Sequence, residues 1–120
     1  MPMTSEIDVD RGLVRTRLVG AVSVDEVDKH NHDLAKDPEF RPGFKQLVDL
    51  TRMTEILYDL AAVRKSAEDH VFSPGARRAL VAATDATFGM SRMFAIQSEK
   101  AGQRIEVFRD MASAEAWLGL

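Results

Sequence analysis

Apolar and polar positions alternate through the first twenty residues. In EIDVDRGLVRTRLVG, Ile7 and Val9, then Val14, Thr16 and Leu18, hold one parity of each segment, and Glu6, Asp8, Arg15 and Arg17 hold the other. This is the period-two signature of two half-buried strands. A two-residue loop at Arg11-Gly12 sets Val9 opposite Val14, Ile7 opposite Thr16, Asp8 opposite Arg15 and Glu6 opposite Arg17, so both faces agree. A three-residue loop would set Ile7 opposite Arg15 and mix the faces.

The period then lengthens. Ser23 with Glu26 three residues on is a capping box and opens a helix to about Lys36, with Val24, Val27, Asn31 and Leu34 as its inner stripe. DPEFRPGF holds too many breakers for a regular element and reads as a structured loop, followed by the strand KQLVDL. Ile56, Leu60, Val63, Ala67 and Val71 recur at helical spacing, which predicts a helix over roughly 56–71. After SPGA, the run RRALVAA is continuously apolar behind its arginines, as expected of a central strand covered on both faces. A helix follows from about Asp85 to Lys100, capped by Thr84 or Asp85 and stopped at Ala101-Gly102. The strand RIEVFR and a last helix, SAEAWL, complete the chain, with Trp117 and Leu118 expected to dock on the sheet.

Strands alternating with helices imply crossover connections. The expected fold is α/β: a single domain over 1–120 with a mixed, largely parallel sheet, an N-terminal antiparallel hairpin and packed helices.

Charge narrows the partners. Sixteen Lys and Arg against nineteen Asp and Glu give a net charge of −3, so no positive field draws the chain to nucleic acid. There are no cysteines, which removes disulfides, thiol catalysis and thiolate-bound zinc. No stretch approaches the roughly 20 apolar residues of a membrane span, and the N-terminal MPMTSEIDVD has no basic segment leading into an apolar run. A cytoplasmic location is expected.

Candidate chemistry is sparse. His30 and His32 stand two apart on a helix, roughly 200° around its axis, and do not chelate one ion. Ser23, Ser73 and Ser91 lack the strained elbow of a nucleophile, and the seven glycines are dispersed, with no phosphate loop. The acids of Asp8 to Asp10 and Asp25 to Asp28 read as solvated strand and helix-start charges. No enzyme, cofactor or metal is expected. Arg77-Arg78 reads either as an anion clamp or, more plainly, as an edge pair snorkelling over apolar surface.

The helix TDATFGMSRMF is the least ordinary segment. On a helical wheel Ala86, Met90, Met93, Phe94 and Gln97 form a face to pack on the sheet, while Phe88 and Arg92 form another and Ile96 widens the apolar arc. Gly89 costs about 1 kcal/mol against alanine in a helix interior, which close approach of another backbone or a ligand would offset. Phe88, Gly89, Arg92 and Ile96 are therefore the candidate interaction surface. One alternative is that Phe88 packs under DPEFRPGF, with Gly89 making room. Another is a small apolar or lipid-like ligand in a groove beside this helix. Because a filled core of this size rarely encloses some 300 Å³, a homodimer or another protein partner is the favoured cover.

DPEFRPGFKQLVDL, ALVAATDATFGMSRMF and IEVFRDMASAEAWLGL together resemble the SpoIIAA-like family of small bacterial proteins, related to STAS domains. The resemblance implies a mixed sheet with packed helices and a non-enzymatic role in protein interaction or regulation. In anti-anti-sigma STAS proteins an Asp-Ser-Ser-Gly-type phosphoacceptor follows the strand matched here by Val48-Asp49-Leu50-Thr51. This chain has Glu55, Ile56, Leu57 and Tyr58 in the acceptor region. That leaves Thr51 and Thr54 as the nearby hydroxyls, either a switch site or helix-capping and turn residues.

Overall fold

Each strand pairs with the strand before it in the chain. The computed structural model describes residues 2–68 and 70–120. Within them β1 (Met3–Asp8), β2 (Leu13–Ser23), β3 (Lys45–Leu57), β4 (Arg77–Val81) and β5 (Arg104–Phe108) form one sheet in the order β1-β2-β3-β4-β5. β1 is antiparallel to β2, and every later pair is parallel. The helices are α1 (Val24–Ala35), α2 (Leu60–Glu68), α3 (Asp85–Lys100) and α4 (Met111–Leu118). The expected single α/β sheet with an antiparallel hairpin at its edge is the observed one. No helix among the described residues is long and apolar enough to cross a membrane.

The hairpin keeps the expected faces and changes the register. Ile7 faces Val14, Glu6 faces Arg15 and Thr4 faces Arg17, so the Asp8-Arg15 and Glu6-Arg17 pairings are not formed. The loop is the four-residue turn Val9–Gly12, in which Gly12 (φ +58°) donates to Val9 O and Asp8 Oδ1 accepts from the Arg11 N–H. A slip of two residues preserves parity, so the face pattern alone did not distinguish the two registers.

β3 is longer than expected and α2 shorter. Instead of entering a helix at Ile56, the chain stays extended to Leu57, because β2 also runs on and pairs Gly20 with Met53, Val22 with Ile56 and Ser23 with Leu57. Gly20, at φ +76° beside irregularities in the register, lets β2 bend there. Asp59 caps α2 through its Oδ1 and the Ala62 N–H. Val63 and Ala67 are buried as the periodicity required, whereas Leu60 is 63% exposed. The capping box of α1 and the Thr84 cap of α3 are formed as expected.

Three parallel crossovers advance one strand at a time in one direction, and crossovers of one hand place their helices on one face. α1, α2 and α3 accordingly cover Leu18, Val22, Val48, Leu50 and Leu80, while α4 alone packs on the other face, where Leu13, Leu47, Ala79, Val81, Ala114 and Leu118 form a separate core. Trp117 docks beside it, its ring 5.8 Å from that of Phe108. The DPEFRPGF loop is ordered by Phe40, which packs edge-on against Phe44 and Phe72.

α3 is turned from the expected orientation toward its hydroxyl side chains. Thr87, Ser91 and Ser98 are buried, Met90 and Phe94 of the expected face are half-buried against the core, Met93 and Gln97 are half-buried, and Ala86 is exposed. The wheel ranked side chains by hydrophobicity, but short hydroxyl side chains let this helix settle close to β5.

Candidate functional site

One polar side chain from each strand or its flank lines up across the face that α1 to α3 cover. Ser5 Oγ lies 2.8 Å from Thr16 Oγ1, which accepts from Gln46 Nε2 at 3.0 Å. Gln46 Oε1 accepts from Arg78 Nε at 3.0 Å, and Gln103 Oε1 accepts from Arg78 Nη1 at 3.2 Å. Gln103 Nε2 donates to the Phe72 carbonyl at 3.1 Å and lies 3.1 Å from His70 Nδ1, which is itself 3.1 Å from that carbonyl. At the other end of the row Ser5 Oγ lies 2.7 Å from His30 Nε2. Burial holds the His30 pKa below its ordinary value, against an opposing pull from Asp33. The row follows from parity and register: Ser5 faces Thr16 and Gln46 faces Arg78 as cross-strand pairs, while Thr16 stands two residues after Val14, the partner of Gln46, and Gln103, just ahead of β5, two residues before Ile105, the partner of Arg78.

Arg78 is its centre. It is 5% exposed, its guanidinium carbon sits 4.5 Å from the centroid of the Phe72 ring, and among the described residues no carboxylate pairs with it. Burial pulls its pKa down to about 10, which leaves it a cation at neutral pH. Arg77 and Arg78 are neither a two-arginine clamp nor an edge pair. Consecutive residues of a strand point to opposite faces. Arg77 turns to α4, donates to Trp117 O at 2.7 Å and lies over that ring, while Arg78 goes inward.

Beside the row lies a half-open cavity of about 70 Å³ between the sheet and α1, α2 and α3. Leu18, Val48, Leu50, Leu80, Met90 and Phe94 supply much of its apolar wall, and Arg78 is its one charged lining residue. Asn31 also lines it, and its Oδ1 is buried without a hydrogen-bond partner. The cavity is well below the 300 Å³ set against a ligand at the outset, about half the size of an engineered cavity that holds benzene. Its position beside α3 is the one the ligand alternative named.

The sequence-derived candidates are dispersed. Phe88 is half-buried against the main core, with Arg109 4.2 Å above its ring, and does not lie under the DPEFRPGF loop. Gly89 is exposed and, its neighbours in the helix apart, a Cβ there would meet nothing within 4 Å, so no more distant part of the described chain makes the close approach expected of it. Arg92 and Ile96 line a shallow polar groove between α3 and the open edge of β5. Thr51 and Thr54 lie on β3 and cap no helix. Thr51 Oγ1 donates to Asp49 Oδ1 at 2.6 Å, and its N–H donates to the same oxygen.

Gln46, Gln103 and Asn31 were not singled out from the sequence as functional. The signal available was Gln46 at an inward position of an otherwise apolar strand, and Asn31 on the inner stripe of α1.

No family model matches the chain, and no curated protein matches it. A solved structure does. The crystal structure of an uncharacterised DUF3478-family protein with a SpoIIAA-like fold, from Shewanella loihica PV-4, aligns with a TM-score of 0.60 over 97% of this chain and 93% of that one, at 16% identity. The chain has the SpoIIAA-like fold. At this identity the likeness is one of architecture and assigns no activity.

Proposed function

We propose that this chain is a non-enzymatic binding module whose ligand is a small, largely apolar molecule seated between the sheet and helices α1, α2 and α3. The observation that carries this reading is the half-open apolar cavity with a buried cation in its wall. Burying an arginine without a carboxylate costs stability, and such a cost is retained where the charge serves a ligand. A regulatory role follows if ligand occupancy alters how α3 presents its outer surface to a partner.

A second reading rests on that outer surface. Gly89 stands in open space and Ile96 is 49% exposed beside the free edge of β5, the setting expected for a second copy of the chain packed along α3. Native mass spectrometry of the protein as purified separates the two. A small-molecule adduct on the monomer supports the ligand; a dimer that Gly89→Leu converts to a folded monomer supports association. A bare monomer that takes up no apolar probe rejects both.

A further inference from the structure

We infer that the ligand of this cavity is a monocarboxylate, its carboxyl group held by Arg78 and its hydrocarbon portion lying among Leu80, Met90 and Phe94. The inference rests on the ligand reading above and specifies its chemistry.

Three observations select a carboxylate. First, a guanidinium has five N–H donors in a planar fork, and among the described residues only Nε and Nη1 of Arg78 are engaged, both by neutral amide oxygens. The remaining donors match the two oxygens of a carboxylate. Second, Gln46 and Gln103 hold the guanidinium from two sides and Phe72 lies against its plane, so the fork is fixed before any ligand arrives. Gln103 is itself tied to the Phe72 carbonyl. Third, Arg78 is the one charged residue in a lining that is otherwise apolar or amide and hydroxyl. A single buried positive charge balances a single negative one. A phosphate dianion would bring a second charge into an apolar wall with nothing to neutralise it.

The apolar wall requires that the rest of the molecule be hydrocarbon. The volume of about 70 Å³ admits a short chain, and the half-open form lets a longer one extend to solvent. The unpartnered Asn31 Oδ1 would accept a hydrogen bond from a hydroxyl borne on such a chain.

The test compares hexanoate with 1-hexanol, which share a tail and differ in the head, by calorimetry and by amide chemical shifts on the full chain at neutral pH. Hexanoate should bind about 10-fold or more tightly than hexanol, the worth of a charge-assisted hydrogen bond, with shifts at Leu80, Met90 and Phe94. Arg78→Met should erase the preference for hexanoate over hexanol. Equal affinity for both probes in the parent overturns the carboxylate and leaves the apolar-ligand reading standing. Binding of neither probe removes both. Should Arg78→Met fail to fold, the comparison in the parent decides alone.

Discussion

The two faces of the sheet are built from the same strands and solve different problems. Under α4 the inward positions of β2, β3 and β4 are Leu13, Leu47, Ala79 and Val81, all buried and apolar, and one helix of eight residues closes the layer. At its margin the face is solvated and carries Arg15, 4.0 Å from Glu115 of α4, and Arg17, 3.9 Å from Asp49. Under α1 to α3 the alternate residues of the same strands are Thr16, Gln46 and Arg78, flanked on one side by the core of Leu18, Val48 and Leu80 and on the other by that of Val14, Phe40 and Phe72. The α4 face separates charge from core along the strands. The three-helix face buries charge inside its core, and its cavity lies beside that charge.

This contrast makes the α4 face the place where truncating a side chain should cost most. Leu118 is fully buried, so Leu118→Ala should lower unfolding free energy by about 2–5 kcal/mol in urea titration, through lost apolar burial and the void left behind. A loss well under 1 kcal/mol would mean that α4 covers the sheet without stabilising it. Removal of everything after Ala112 should be still more damaging, since Trp117 goes with Leu118.

On the opposite face the prediction concerns coupling. Gln46→Leu takes an acceptor from the buried Arg78 and a donor from Thr16, and should cost about 1–3 kcal/mol. Because Arg78→Met removes the group left unsatisfied, the double variant should fall short of the sum of the two by about 1 kcal/mol or more. Strict additivity would show that the row is a coincidence of neighbours and not a unit.

The smallest effect sits at the end of the row. The His30 pKa is lowered by burial in the folded chain, so just below its ordinary value of 6.5 the unfolded chain binds the proton more readily. Its contribution is therefore complete above pH 6.5 and declines as the pH falls through that value. His30→Gln should flatten the acid side of the stability profile measured by thermal melting between neutral and mildly acid pH. An unchanged slope would mean that His30 is not a source of the acid sensitivity.

Local chemistry in the sequence determined much of this molecule. Ser23 with Glu26, Thr84 before the α3 helix, the alternation around Val14, Thr16 and Leu18, and the apolar run after Arg78 each act over a few residues, and each formed the element its pattern required. Tertiary structure decided what depends on a partner distant in the chain. β3 runs on to Leu57 because β2 is there to pair with it, and the hairpin register was set by Asp8 and Gly12 in a turn that face parity does not distinguish. α3 faces inward through Thr87, Ser91 and Ser98 because closeness of approach outweighed side-chain hydrophobicity. The candidate site belongs wholly to this second kind. Asn31, Gln46, Arg78 and Gln103 are far apart along the chain, and a buried arginine reads the same in sequence as an exposed one. Parallel pairing set Gln46 beside Arg78, strand parity sent Arg78 inward and Arg77 out, and three helices closed over them.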